Sequence, residues 1–89
     1  MARPASVGDA LREAAVSLRT TGASRSPRLD AELLLARALG VTRAELFRET
    51  DRELTDEEAA AFERLLDRRL AREPVAYILG RRAFRTIDL

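Results

Sequence analysis

The chain contains no cysteine, no histidine and no tryptophan, and its 16 basic residues are all arginine, without a single lysine. The lack of cysteine rules out a disulfide framework and a thiolate nucleophile. The lack of histidine removes the commonest general base and the commonest transition-metal ligand together. The four glycines are scattered rather than gathered into a phosphate- or dinucleotide-binding loop, and no serine sits in a nucleophile elbow. No apolar run approaches the ~18 residues that a membrane span needs. Residues 1–10 also lack the apolar stretch of a signal peptide. These absences predict a soluble, cytoplasmic chain with no membrane partner, no active site and no metal centre of its own.

What is present suffices for one modest core. Hydrophobic residues make up 46% of the 89. A typical domain needs roughly 100–150 residues, so dividing this one would leave two unstable halves. Sixteen basic residues against 15 acidic leave a formal net charge of +1. Disorder requires low hydrophobicity and a large net charge, and the chain has neither. Arginine's planar fork suits phosphate and carboxylate, yet so even a balance of charge names no partner.

Helix punctuation is legible along the chain. Ser6 is placed to cap a first helix, with Asp9 at the third position as in a capping box. Val7, Leu11, Ala15 and Leu18 share one face of it, and Gly22 stands where a left-handed C-terminal residue belongs. Ser26-Pro27 opens a second helix through Leu29, Leu33, Leu34, Leu35, Ala36, Ala38 and Leu39, closed by Gly40. Its wide apolar arc predicts a central helix with Leu34 in the core. Thr42 caps a short third helix with Leu46 and Phe47. After a polar loop at 50–53, Thr55 caps a fourth helix that runs to Glu73. Its acidic first turn and basic last turn complement the helix dipole. Its apolar face is Ala59, Phe62, Leu66 and Leu70, with Leu65 alongside. Pro74 opens a fifth helix, Val75–Leu79, stopped by Gly80. Phe84, Thr86, Ile87 and Leu89 are more strand-like than anything before them.

Three constellations carry potential chemistry. The acids Asp51, Glu53, Asp56, Glu57 and Glu58 lack the alternation and central glycine of a calcium loop, and helix-dipole preference accounts for them. Residues 33–46 have the spacing of a helix-turn-helix. The second helix, however, would offer DNA Glu45 and Glu49 beside Arg43 and Arg48, an electrostatically poor surface. The C-terminal third is rich in arginine, at positions 64, 68, 69, 72, 81, 82 and 85, and reads either as a solvated face or as a contact surface for an acidic partner or RNA.

The ordered set Ser-Pro-Arg-Leu-Asp-Ala-Glu-Leu-Leu-Leu-Ala (26–36), Arg-Glu-Leu-Thr (52–55) and Arg-Arg-Leu-Ala-Arg-Glu-Pro-Val-Ala-Tyr-Ile-Leu-Gly-Arg-Arg-Ala-Phe (68–84) resembles the bacterial release factor glutamine methyltransferases. The matching residues are Asp30, Glu32, Leu33, Leu34, Glu73, Pro74, Tyr77, Gly80 and Phe84. The most specific element is Glu-Pro-x-x-Tyr-Ile-x-Gly at 73–80. The resemblance implies a helical N-terminal domain joined by a β-hairpin linker to a catalytic domain that binds S-adenosylmethionine. That enzyme methylates the glutamine of the Gly-Gly-Gln loop in class 1 peptide release factors. The family's Asn-Pro-Pro-Tyr and glycine-rich motifs have no counterpart here, so no catalytic or cofactor residue carries over. Thr86 stands where the family usually has glycine.

The expectations are therefore these. Residues 1–80 form an all-α unit, a small orthogonal bundle of about five helices that binds the substrate protein. Residues 81–89 begin the first strand of the linker hairpin. Arg68, Arg72, Arg81 and Arg82 contribute to gripping the release factor. Pro74, Tyr77, Gly80 and Phe84 set the exit toward the chain's own C-terminal catalytic domain. The alternative is a stand-alone binding module of helix-turn-helix type.

Overall fold

The computed structural model describes residues 6–80. Five helices follow one another: α1 (Val7–Thr21), α2 (Pro27–Leu39), α3 (Arg43–Arg48), α4 (Asp56–Leu70) and α5 (Val75–Leu79). The fold is all-α, as the sequence predicts. Extended pairing among the described residues is a single antiparallel bridge between Ser6 and Glu53. The strand expected at 81–89 lies outside the described residues.

Helix α2 is the hub, packing against each of the other four. Its Ala31, Leu34 and Leu35 are fully buried. They share a core with Val7, Leu11 and Ala14 of α1, Leu46 of α3, Phe62 of α4 and Ile78 of α5. The wide arc of α2 has two exceptions. Leu29, expected inside, is 40% exposed, and the acids Asp30 and Glu32 are buried instead. Phe47, grouped with Leu46 by the sequence, stands 49% exposed under the Arg43 guanidinium, 5.9 Å from the ring centre.

Three of the four serine and threonine caps form as expected. Ser6 Oγ accepts from the Asp9 N–H at 3.1 Å, although the Asp9 carboxylate turns to Arg12 rather than back to the cap. Thr42 with Glu45, and Thr55 with Glu58, build complete capping boxes, each cap contributing about 1 kcal/mol. Ser26 is the exception. It holds the N-cap position without a side-chain bond, and its own N–H donates to Ser24 Oγ at 3.0 Å. Proline at the first helical position removes one donor, and Ser24 goes on to donate to Asp30 at 2.6 Å.

The C-termini of α1, α2 and α4 close in one way. After α1, Ala23 N–H bonds Leu18 O and Gly22 N–H bonds Arg19 O, and after α2, Val41 and Gly40 repeat the pair on Ala36 and Arg37. This is the Schellman arrangement, which needs a left-handed residue, and Gly22 and Gly40 supply it at φ 72° and 71°. After α4 the same pair runs from Glu73 to Arg68 and from Arg72 to Arg69. Here the left-handed residue is Arg72, at φ 72°. Helix α4 thus ends at Leu70 rather than at Glu73, because the turn is made one residue ahead of the glutamate.

Candidate protein-recognition interface

The candidate site residues lie where α4 hands the chain to α5. Arg68 meets Glu73 in a two-point pair, Nε to Oε1 at 3.0 Å and NH2 to Oε2 at 2.5 Å. Arg69 reaches across the bundle, its Nε donating to Asp30 Oδ2 at 2.9 Å and its NH1 to the Glu73 carbonyl at 3.0 Å. Arg72 donates to the carbonyls of Gly22 and Thr21, at 2.8 and 3.0 Å. These are orphan acceptors at the C-terminus of α1, where a cation is favoured. The last turn of α4 and the left-handed turn after it therefore bind the exit segment, the start of α2 and the end of α1.

Pro74 then stands at the N-cap of α5. Its carbonyl accepts from the N–H groups of Tyr77 and Ile78 at 3.0 and 3.1 Å. Ile78 is buried, which leaves the Tyr77 ring outside at 65% exposure. Gly80 follows at φ 87°, ψ 148°, backbone that residues bearing a Cβ essentially never adopt. Arg81, Arg82 and Phe84 lie outside the described residues. Of the eight positions picked from sequence, Arg68, Arg72, Pro74, Tyr77 and Gly80 fall within the described residues, along the segment from the end of α4 to the end of α5.

Two residues that matter most here were not assigned a role from sequence. Asp30 and Arg69, 39 residues apart, form the least exposed ion pair among the described residues, with side chains only 12% and 16% accessible. Glu32 is the other buried acid among the described residues. Its Oε2 accepts from Arg28 at 3.0 Å and its Oε1 from Arg43 at 2.9 Å. That contact holds the first residue of α3, the helix that the helix-turn-helix reading would send into a groove of DNA. The available signal was a pair of acids inside an otherwise apolar helical run, a pattern that calls for buried partners.

Two carboxylates, those of Glu58 and Glu73, are held below their ordinary range. For Glu58 the main cause is the hydrogen bond from Arg52, at 2.7 Å, followed by the Thr55 N–H of the capping box. For Glu73 it is the bond from Arg68. A carboxylate whose folded-state pKa is depressed contributes stability above its unfolded value, about 4.3 for glutamate. That contribution is lost as pH falls through the lower folded value. The chain has neither histidine nor cysteine, the side chains whose ordinary pKa values lie nearest neutrality. Urea midpoints are expected to be level from about pH 5.5 to 8 and to fall below about pH 4.5. Arg52→Ala should flatten part of that acid limb, and an unchanged limb would remove Glu58 from the account.

The fold defines a class, a five-helix domain in which one shielded ion pair, Arg69–Asp30, and one exposed pair, Arg68–Glu73, hold the exit, and whose described residues hold no cluster of three metal-ligating side chains. Residues 9–80 match the family described as PrmC N-terminal domain, and the chain belongs to that family. It is 40% identical over 74 residues to the release factor glutamine methyltransferase of Coxiella burnetii, covering 83% of this chain and 27% of the relative. The enzyme of the same name from Aliivibrio fischeri is 40% identical over 81 residues, covering 91% and 28%. That from Caulobacter vibrioides is 47% identical over 58 residues, covering 65% and 20%. The chain spans about a quarter of the length of the curated relatives it matches. No solved structure matches it.

Proposed function

We propose that this domain is the release-factor-binding part of a protein-glutamine methyltransferase, one that uses S-adenosylmethionine to methylate the glutamine of the Gly-Gly-Gln loop in a cytoplasmic release factor. The observation that carries the reading is the family match across the whole helical unit, with relatives named for that activity. A methyltransferase acting on a protein must tell one exposed glutamine from all others. A few contacts around a single amide discriminate poorly, so remote contacts add affinity and orientation. A helical domain set apart from the reacting atoms supplies them.

The described residues do not fit the cofactor. Gly22 and Gly40 terminate helices instead of leading from a strand into one, so no cradle for S-adenosylmethionine is assembled. Its binding is assigned to a separate catalytic domain, and no step is derived through it. Arg68 and Arg72 are given a positioning part, because both spend donors inside the domain. With Pro74, Tyr77 and Gly80 they direct the chain toward that catalytic domain, Arg81, Arg82 and Phe84 continuing the same segment in sequence.

The test is titration of this 89-residue chain with a purified bacterial class 1 release factor, followed calorimetrically at 50 and 300 mM salt. Saturable binding that weakens with salt is the expected result. Absence of binding at high micromolar concentration would remove the recognition role.

A further inference from the structure

Helices α1 and α4 both lean on α2, and between them they leave a groove. Its floor is Ala10 and Ala14 of α1 with Ala59, Phe62 and Leu66 of α4. The small side chains of Ala10, Ala14 and Ala59 leave unfilled the space that larger residues there would occupy. The groove has a volume of about 130 Å³, close to the roughly 150 Å³ of an apolar cavity that accepts benzene. That is room for one leucine, methionine or phenylalanine side chain. Val16, 49% exposed, lies beside Ser17 on the α1 side and extends the apolar strip outward.

The rim is acidic. Glu13 stands on the α1 side and Glu63 on the α4 side, and neither forms an ion pair among the described residues. Arg12, the base nearest to Glu13 in sequence, is already matched by Asp9. Two unneutralised carboxylates flanking a largely apolar slot of single-side-chain size favour an apolar residue carried next to a cation.

We propose that this groove is where the domain seats its protein partner, by taking one large apolar side chain of the release factor flanked by arginine or lysine. The inference rests on the recognition reading above and names the surface that performs it. The buried side chain supplies the anchor, and the two glutamates set its register and speed its approach.

The experiment is an amide NMR titration of the labelled 89-residue chain with a purified bacterial class 1 release factor. It is repeated for Glu13→Lys/Glu63→Lys and for Ser17→Trp, which fills the mouth of the groove from a half-exposed position. The expected result is shifts concentrated on the facing turns of α1 and α4, with affinity weakened at least about tenfold by either change, equivalent to about 1.4 kcal/mol. Binding that stays within twofold in both variants, or shifts confined to α3 or α5, overturns the groove and leaves the recognition role standing. Failure of the unmodified chain to bind overturns both.

Discussion

Replacing Asp30 by alanine is expected to lower the stability of this domain by about 3 kcal/mol, the lower end of what breaking a buried ion pair costs. The lower end applies because the two side chains keep 12% and 16% of their accessibility. The loss arises less from the missing attraction than from what remains. Arg69 would still lie against the bundle, held by the Glu73 carbonyl at 3.0 Å, with its charge uncompensated. Ser24 would lose its acceptor at the same time. The double change Asp30→Leu/Arg69→Met should recover most of the loss, since apolar replacements of a buried pair are often neutral. Urea denaturation of the three proteins decides the matter. A loss below about 1 kcal/mol for Asp30→Ala would place the pair with ordinary surface bridges.

Leu34→Ala should cost about 3–4 kcal/mol, within the range for large-to-small changes at fully buried leucines. Leu34 has no exposed surface and sits in the core shared by α1, α2 and α4. A domain of this size has roughly 5–10 kcal/mol in total, so the variant gives up a large share of it. A lowered thermal midpoint with loss of amide dispersion is the expected observation. Leu29→Ala is the control on the same helix. Leu29 is 40% exposed, and its truncation should cost less than about 1 kcal/mol. Equal losses at the two positions would contradict the face assigned to α2.

What the sequence revealed and what it hid divide along one physical line. Caps at Ser6, Thr42 and Thr55, stops at Gly22 and Gly40, and the entry of α5 at Pro74 were all readable. Each depends on a side chain and a backbone group within about three residues. Ser26 takes the N-cap position that the sequence indicates, with Pro27 after it, but its side chain forms no cap bond. The true end of α4 was missed because arginine rather than glycine makes the left-handed turn.

The candidate interface was visible only as composition. An arginine-rich third can be counted from sequence. Whether Arg68 and Arg72 face a partner or the domain itself depends on Glu73 and on carbonyls about 50 residues away. The acidic groove was not legible at all. Ala10, Ala14 and Ala59 read as ordinary helical alanines until two helices are placed side by side.

Arg72 has one more consequence. A left-handed conformation costs a residue with a Cβ roughly 1 kcal/mol or more, and here the offset comes from the carbonyls at the end of α1. Those carbonyls point the right way only when α1 is formed. The start of α1 is likewise bonded to the α3–α4 loop, with Val7 N–H on Arg52 O and Gly8 N–H on Thr50 O, both at 2.9 Å. Both ends of the first helix are thus completed by the second half of the chain. The turn that aims α5 is in turn completed by the first. The direction in which the polypeptide leaves the bundle is therefore a cooperative property of the whole domain, and unravelling α1 would release the exit some 50 residues away.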